Sequence, residues 1–469
     1  MAIMTKPTFN LSAARLPGGI HYAWVIVGVL AMVQVVGSAI FMAAGIMVAP
    51  LNDPDGNFGW SMSTIGAAMA LYFLIGAAFA PITGSLGDRY GARRLMLVGS
   101  LLYAASMFFL GIVSEVWHFA IAFGVMLSLT QSITMVPLMA AVSGWFRRRL
   151  GLGTGILWGA GGVGTAILAP LMGYLLDEVG WQATFWGIGA IGGGIMLLLT
   201  ALFRNRPADL GLKPYGTAAN DPPEVARDKM VEKLRAKVFN QHIRRTRSFW
   251  NLPVIHALGC AGHGIVLLYV IPIAVDEGVS LVAAAVILTI ISLVSIISRL
   301  ITPVLAEAYG PKQIMALCLF VQGVTVLLLF WAHDVWMFYL FGALFGLGFG
   351  GEWTGYLVIN RKYFGHGPIA SCYGWQMAGS LLGHAITTAL AGLIIYVTGS
   401  YSLALGLSII FSLGGALLIL GLESTSRVLI PSWEESLPPE ARSGPTSAAP
   451  GPALSVPSGQ ALSEAPGAD

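Results

Sequence analysis

The chain contains few charged residues for its length. Of its 469 residues, 10% are Asp, Glu, Lys or Arg and 56% are hydrophobic, whereas a soluble domain is about 25% charged. Apolar runs of about 18 residues or more recur along it, and each is long enough to cross a bilayer as a helix. The composition therefore excludes a soluble globular protein and predicts a polytopic α-helical membrane protein.

Several chemical signatures are also absent. The sequence has no GxxxxGK[ST] stretch, so it carries no phosphate loop, and any transport would be driven by a gradient or by a partner ATPase. Its three cysteines, Cys260, Cys318 and Cys372, lie in or beside apolar runs without metal-ligand spacing, which predicts small buried side chains. No small-residue cleavage site precedes the first apolar run, so we expect no signal peptide. We predict no enzymatic activity, no cofactor or metal, and no nucleic-acid partner.

Twelve apolar spans can be read from the sequence, in two sets of six. The first set covers residues 22–50, 62–86, 95–113, 117–145, 150–175 and 182–203. The second set covers residues 249–273, 281–305, 313–331, 335–359, 371–397 and 402–421. The pattern predicts an all-α polytopic membrane protein with twelve transmembrane helices in two six-helix halves.

The polar segments complete this domain plan. We predict an N-terminal half (1–203), a cytoplasmic central loop (204–248), a C-terminal half (249–426) and a tail (427–469). Within the central loop, apolar residues recur near helical spacing among charges between 222 and 240, which indicates a surface helix. The tail is rich in Pro, Ser, Ala and Gly, a composition that cannot bury a core, so we predict that it is disordered.

The positive charges lie on alternate loops. Of the 25 lysines and arginines, all but Arg299 lie in the N-terminal segment, in every second loop between spans, or in the tail. The other loops carry acids but no lysine or arginine. By the positive-inside rule the basic loops are cytoplasmic, and an even number of spans places both termini there too. We therefore predict a multi-pass protein of the cell (inner) membrane with its N- and C-termini in the cytoplasm.

An internal repeat follows the second and eighth spans. Residues 84–94 read GSLGDRYGARR, and residues 303–312 read PVLAEAYGPK, so an acid, a Tyr-Gly pair and a base recur at the same spacing. The first copy resembles the loop signature of the major facilitator superfamily, G-x-x-x-D-R-x-G-x-R-R. The resemblance implies two homologous halves that open alternately to each side of the membrane. It also implies a cytoplasmic gate built by Gly84, Asp88, Arg89, Gly91 and Arg93, with Asp88 near the N-terminus of a neighbouring helix.

Further matches resemble one branch of this superfamily. The stretches YAW at 22–24 and WFRRRLGLGTG at 145–155 are similar to signatures of the monocarboxylate transporters and the oxalate–formate antiporters. Arg299 matches the position where that branch carries an arginine for the substrate carboxylate. Three departures matter: Ser380 replaces the lysine of the oxalate carriers, the first span lacks the lysine of the animal-type carriers, and Ser295 replaces an acid of those carriers. The first departure disfavours a dicarboxylate, and the other two mean that the animal-type proton relay cannot be carried over.

Two charged residues inside the spans are the main candidates for chemistry. Arg299 carries a cation that costs about 2.5–3.5 kcal/mol on insertion scales. Its planar guanidinium can clamp a carboxylate, or it can reach the cytoplasmic face or pair with an acid. Glu352 is the only acid inside a span, and its predicted depth matches that of Arg299. It either takes the coupling proton or serves as a fixed counter-ion to Arg299.

Five further residues are candidates for substrate binding. Trp353 matches a position that resembles a cavity aromatic of the oxalate carriers, although packing against lipid is the alternative. His263 and His384 fall near mid-membrane and either contact substrate or make helix–helix hydrogen bonds. Gln34 and Gln131 of the first half either bind substrate hydroxyls or bond between helices.

These observations predict a secondary carrier in the lipid bilayer. We predict that its substrate is a small organic anion, namely a monocarboxylate such as lactate, which a monomeric protein moves together with a proton through alternating access. Two alternatives stay open: a drug or neutral-solute antiporter of the same fold, and a membrane receptor or sensor that does not transport. The sequence does not specify the substrate or the direction of flux.

Overall fold

The computed structural model describes residues 20–218 and 228–442, and α-helices dominate these ranges. The first half contains α1 (Tyr22–Asn52), α2 (Met62–Tyr90), α3 (Ala92–Gly111), α4 (Val116–Phe119), α5 (Ser128–Trp145) and α6 (Leu150–Leu202). A π-helical segment, Ala120–Leu127, joins α4 to α5, so the three pieces form one span. Then α7 (Lys229–Ile243) lies between the halves. The second half contains α8 (Arg247–Asp276), α9 (Leu281–Tyr309), α10 (Pro311–Thr325), α11 (Val335–Glu352), α12 (Tyr356–Phe364), α13 (Ala370–Thr398) and α14 (Ser402–Leu420).

These helices account for the twelve predicted spans. Among the described residues, 10 helices are long and apolar enough to cross a membrane. One of them, α6, is 53 residues long and has a non-helical break at Gly180, where φ is 77°, so it supplies two spans. Glycine reaches this φ without the steric cost that a Cβ would add. The remaining span is α1, whose shorter apolar stretch is Tyr22–Gly37.

The two halves are in backbone contact at the end of the bundle that carries the lysines and arginines, here named the basic end. A Cβ atom added at Gly84 of α2 would lie 2.3 Å from the carbonyl oxygen of Ala370, at the start of α13. A Cβ atom added at Gly151 of α6 would lie 2.2 Å from the carbonyl oxygen of Pro303 in α9. Only glycine permits approaches this close, so the two glycines bring α2 onto α13 and α6 onto α9.

The two acids of the internal repeat cap helices across this contact. Asp88, near the end of α2, accepts hydrogen bonds from the backbone N–H groups of Ala370 (3.1 Å) and Ser371 (2.8 Å). Glu307, near the end of α9, accepts a hydrogen bond of 2.7 Å from the backbone N–H of Gly151. Each half therefore places a carboxylate at a helix N-terminus of the other half, where the backbone donors and the helix dipole favour negative charge.

The central segment contains the predicted surface helix, with different bounds. It is α7, which begins after Asp228, whose side chain accepts a hydrogen bond of 3.1 Å from the backbone N–H of Met230. Residues 219–227, part of the predicted range, lie outside the described residues. Its buried apolar positions are Ala236, Phe239 and Ile243, with Val231 and Val238 partly buried against the same core, whereas Met230 is 70% exposed. The helix packs on α2 and α13.

The prediction that the whole tail from residue 427 is disordered is wrong for residues 428–442. This segment packs against α7: the Trp433 ring lies 5.0 Å from that of Phe239, and Arg235 bonds to Glu434 at 2.5 Å. Arg235 also donates to the carbonyl oxygen of Ala441 at 2.5 Å. The prediction used the average composition of the whole tail, and this average did not reveal the stretch 428–442. Apolar residues of that stretch are buried against α7. Residues 443–469 lie outside the described residues.

The contact at Gly84 leads to a test of the basic end. We expect Gly84→Val to separate α2 from α13, because the new side chain would overlap the Ala370 carbonyl. Overpacking of this kind costs about 1–3 kcal/mol, so the population open at this end should rise about 5- to 150-fold. Cys372, which is fully buried beside this contact, reports the opening through its rate of maleimide labelling, mapped by mass spectrometry. Gly66→Val on the same helix is the control, since nothing lies within 4 Å of its added Cβ. Equal labelling of Cys372 in both variants would contradict the prediction.

Candidate functional site

The candidate site lies where α11 stops and the second half meets α6 and α2. A run of glycines brings α11 directly onto its neighbours: a Cβ at Gly350 would lie 2.4 Å from the Ser295 carbonyl oxygen, and one at Gly348 would lie 2.5 Å from the Gln322 nitrogen. The helix ends at Glu352, and Trp353–Gly355 form a turn before α12 begins. These close approaches place the carboxyl group of Glu352 in the interior, where it is 0% exposed.

Glu352 faces a histidine. Its Oε2 atom lies 3.8 Å from Nδ1 of His263, which is also completely buried. Neither carboxyl oxygen and neither ring nitrogen has a hydrogen-bond partner among the described residues. Both groups can bind or release a proton. A buried polar pair of this kind is costly unless a proton, water or ligand satisfies it.

Arg299 lies at the contact between the halves. Its Cζ atom is 5.5 Å from the centre of the Phe349 ring, and Nη1 would be 3.6 Å from a Cβ at Gly162 of α6. The Nε atom is buried and has no hydrogen-bond partner in the described part of the chain. No carboxylate within those ranges lies within 4.0 Å of this guanidinium, so the structure gives no ion pair between Arg299 and Glu352. The counter-ion interpretation of Glu352 therefore lacks the contact it needs.

Aromatic rings connect the two halves beside these groups. Trp353 contacts Trp158 of α6 edge-to-face at 5.9 Å between ring centres, and His384 stacks on Phe73 of α2 at 5.4 Å. The rings of the second half also contact one another, with His263 lying 5.1 Å from His384 and 5.4 Å from Trp353. Trp353 thus faces this cluster inside the protein rather than lipid. We name Phe73, Trp158, His263, Phe349, Trp353 and His384 the central aromatic cluster.

The two glutamines of the first half are both partly buried, in different surroundings. The Nε2 atom of Gln34 would be 4.0 Å from a Cβ at Gly161, the neighbour of the glycine that faces Arg299. Gln131 donates from Nε2 to the Met135 sulfur at 3.1 Å, on its own helix. The structure therefore brings Gln34 to the same stretch of α6 as Arg299, whereas the recorded bond of Gln131 is local.

The five predicted gate residues divide into two groups. Gly84 and Asp88 make the contacts between the halves described above. Gly91 forms the turn from α2 to α3 with φ of 83°, and Arg93 donates from Nε to the Thr200 carbonyl oxygen at 3.0 Å within the first half. Arg89 lies over the adjacent Tyr90 ring at 5.6 Å. Arg93 thus connects elements within the first half, and Asp88 bridges the halves.

Sequence reasoning missed several residues around the site. Arg361 bonds across the halves to the Phe146 carbonyl oxygen, and Trp158 is half of the aromatic contact to Trp353. Gln322, which is fully buried, donates from Nε2 to the Gly259 carbonyl oxygen at 3.0 Å and to Ser412 Oγ at 2.9 Å. Trp158 lies in the glycine-rich stretch 151–164, whose composition by itself predicts only close helix packing. His256 and Cys260, four residues apart on α8, were also not recognised as a pair.

Two six-helix halves that meet around a buried polar site have the architecture of the secondary carriers, which bind substrate between repeats. The chain belongs to the major facilitator superfamily: the family model for the Major Facilitator Superfamily matches residues 25–307 and 266–463. It resembles the monocarboxylate-transporter branch of that family. Its family and relatives are transporters, so the chain is a multi-pass membrane transporter and not an enzyme.

The individual similarities are distant but nearly full-length. Monocarboxylate transporter 11 of Homo sapiens is 24% identical over 431 residues, which cover 86% of this chain and 83% of that protein. Monocarboxylate transporter 12 of Rattus norvegicus is 22% identical over 438 residues, covering 87% of each. The crystal structure of the human organic anion transporter MFSD10 superposes with a TM-score of 0.67 at 13% identity and covers 85% of this chain and 99% of that chain. This last likeness supports the fold alone.

Proposed function

We propose that the chain moves a small organic monocarboxylate, of the size of lactate, together with a proton. The observation that carries the proposal is Arg299: a guanidinium at the contact between the halves with no carboxylate of the described residues within 4.0 Å. An anion leaving water needs a compensating charge. The planar fork of an arginine can bond both oxygens of one carboxylate. The names of the sequence relatives are consistent with this substrate class.

The proton site in this proposal is Glu352 with His263. Their facing atoms are 3.8 Å apart and lack other hydrogen-bond partners among the described residues. The ring of Phe349 neighbours both groups: its centre is 4.8 Å from that of the His263 ring and 5.5 Å from Arg299 Cζ. Anion and proton would therefore bind close together but at separate groups. Their joint binding adds no net charge, which favours movement of the halves with both bound.

In this proposal the basic end is the gate through which substrate reaches one side of the membrane. When the two halves separate at the basic end, Asp88 and Glu307 leave the helix N-termini that they cap, and the central aromatic cluster becomes accessible from that side. We propose that the basic end faces the cytoplasm, because the lysines and arginines lie on its loops. A cysteine in place of Asn52 should then react with an impermeant thiol reagent outside intact cells, and one in place of Thr217 should not. Labelling of both from one side would contradict this orientation.

Uptake into proteoliposomes tests the proposed function. Purified protein should accumulate a labelled monocarboxylate when the outside is made acidic, and a proton ionophore should abolish the accumulation. A panel of monocarboxylates, dicarboxylates, neutral sugars and cationic drugs should compete in that order. Preference for cations or neutral solutes would indicate the antiporter alternative. Specific binding of a ligand without any uptake would indicate a receptor.

A further inference from the structure

A second group of side chains surrounds the buried thiol of Cys260. His256, Cys260 and Glu352 each offer one nitrogen, sulfur or oxygen atom, and these atoms all lie within 4.8 Å of one another. The residues are 1%, 0% and 0% exposed, respectively. His256 and Cys260 are four residues apart and so share one face of α8, while α11 supplies Glu352 at its last position. We name these three residues the α8 triad.

The histidine of this triad is held in the form that a metal ion requires. Its Nδ1 atom lies 3.0 Å from the Gln376 carbonyl oxygen. Because a carbonyl can only accept, Nδ1 carries the hydrogen and Nε2 keeps its lone pair. That Nε2 atom is buried and has no hydrogen-bond partner in the described ranges. Metal-binding histidines are commonly fixed by such a bond from the second ring nitrogen to a carbonyl.

The other two members are also prepared for a cation. Cys260 Sγ lies 3.1 Å from Ser380 Oγ, and that hydroxyl can donate to a thiolate. Both carboxyl oxygens of Glu352 are buried and lack hydrogen-bond partners among the described residues. A thiolate and a carboxylate together carry two negative charges. A divalent cation bound to both forms a neutral group, which a low-dielectric interior tolerates better than separate ions.

We propose that the α8 triad binds one divalent transition metal ion of the Zn²⁺ class. Nitrogen, sulfur and carboxylate ligands suit Zn²⁺ and Co²⁺, whereas Mg²⁺ and Ca²⁺ prefer oxygen alone. Metal–ligand distances of about 2.0–2.3 Å place tetrahedral ligand atoms about 3.3–3.8 Å apart, so ligand atoms that lie within 4.8 Å of one another need to contract by at most about 1.5 Å on binding. Three protein ligands leave a fourth position for water or a small ligand. The proposal goes beyond the proposed transport, and a bound ion would occupy Glu352 and stop its exchange of protons.

A neighbouring triad shares the thiol but is less suited to the ion. Cys260, His263 and His384 also offer ligand atoms within 4.8 Å of one another. This set provides only one negative charge, so a divalent ion would leave a net buried charge. His384 also stacks on Phe73 of the first half, and its position would change whenever the halves move. The α8 triad lies within the second half and keeps its geometry.

Cobalt binding to the purified full-length protein in detergent tests the proposal without any transport measurement. We expect one Co²⁺ per chain by equilibrium dialysis, with a thiolate-to-cobalt charge-transfer band in the near ultraviolet and the visible bands of tetrahedral Co²⁺. Cys260→Ser should abolish the charge-transfer band. His256→Asn and Glu352→Gln should each weaken binding at least about tenfold, and Ser380→Ala about tenfold through loss of the supporting hydroxyl. Cys372→Ser, at another fully buried cysteine, should keep both the band and the affinity.

Each alternative result has a defined meaning, with folding checked by monodispersity and thermal melting. Absence of Co²⁺ binding by folded wild-type protein would overturn the proposal. So would binding that persists in Cys260→Ser, because the ion would then lie elsewhere, for example at the exposed pair Glu277 and His333, whose facing atoms are 2.6 Å apart. Loss of binding in His384→Asn with full binding in His256→Asn would assign the ion to the neighbouring triad instead. Failure of monocarboxylate uptake alone would reject the proposed transport and leave the metal site standing.

Discussion

Arg299→Ala should lose binding of the carboxylate substrate almost completely. Removing one partner of a desolvated charge pair costs about 2–5 kcal/mol, which corresponds to a loss of affinity of about 30- to 5,000-fold. Arg299→Lys keeps the charge but loses the planar fork, so we expect a smaller loss of roughly tenfold. Binding can be measured by calorimetry or by ligand-induced thermal stabilisation of the purified protein, before any transport assay.

The ion-pair alternative makes a different forecast for the same variants. If Arg299 neutralised Glu352, Arg299→Ala would strand a buried acid and reduce the yield of folded protein, and the double variant with Glu352→Gln would recover yield and transport together. The structure places no carboxylate within 4.0 Å of Arg299 in the part of the chain that it describes. We therefore expect near wild-type yield from Arg299→Ala and no recovery of binding in the double variant. Recovered transport in that variant would refute the carboxylate clamp.

Glu352→Gln should abolish accumulation against a gradient and preserve exchange of substrate across the membrane. A neutral amide resembles only the protonated acid, so the carrier can move with substrate but cannot release a proton. The expected result is loss of pH-driven uptake to the level of an ionophore-treated control, with counterflow of labelled substrate within about twofold of wild type. Both are measured on the same proteoliposome preparation.

A second glutamate provides a matched control for this prediction. Glu277 also faces a histidine, with 2.6 Å between Oε2 and Nδ1 of His333, but the pair is exposed outside the membrane spans. Glu277→Gln should leave both accumulation and counterflow unchanged. If Glu352→Gln still accumulated substrate, Glu352 would not be the coupling site. If it lost counterflow as well, the residue would serve binding or folding rather than coupling.

The fold could be predicted because the bilayer offers no hydrogen-bond partners to the backbone. A long apolar run must therefore form a helix, in which every backbone polar group makes its hydrogen bond within the segment. The repeat following the second and eighth spans revealed the two halves. The first part of the tail was mispredicted because packing depends on a few placed side chains, such as Trp433 against Phe239. The average composition of a segment carries no information about such individual contacts.

The site was only partly predictable, for a different reason. Arg299 and Glu352 are conspicuous in the sequence because each is a lone charge in an apolar span. The neighbours of Glu352 are not, because His263 and His256 come from α8, far away along the chain, and each could have faced any other helix. Cys260 lies four residues after His256 on α8, so this pair could have been read from helical spacing. The acid could not, because Glu352 comes from α11 and joins the pair only where the two helices cross.

If the basic end is the gate, as we propose, the exchange of caps between the halves also affects the resting state of the carrier. Opening that end would remove Asp88 from α13 and Glu307 from α6, and each lost cap would cost about 0.5–2 kcal/mol. Together the caps would bias the equilibrium toward the closed basic end by about 1–4 kcal/mol, or about 5- to 1,000-fold. Substrate can reverse this bias only through an affinity difference of the same size between the two states. The two acids of the repeat would then set the concentration of substrate at which the carrier begins to turn over.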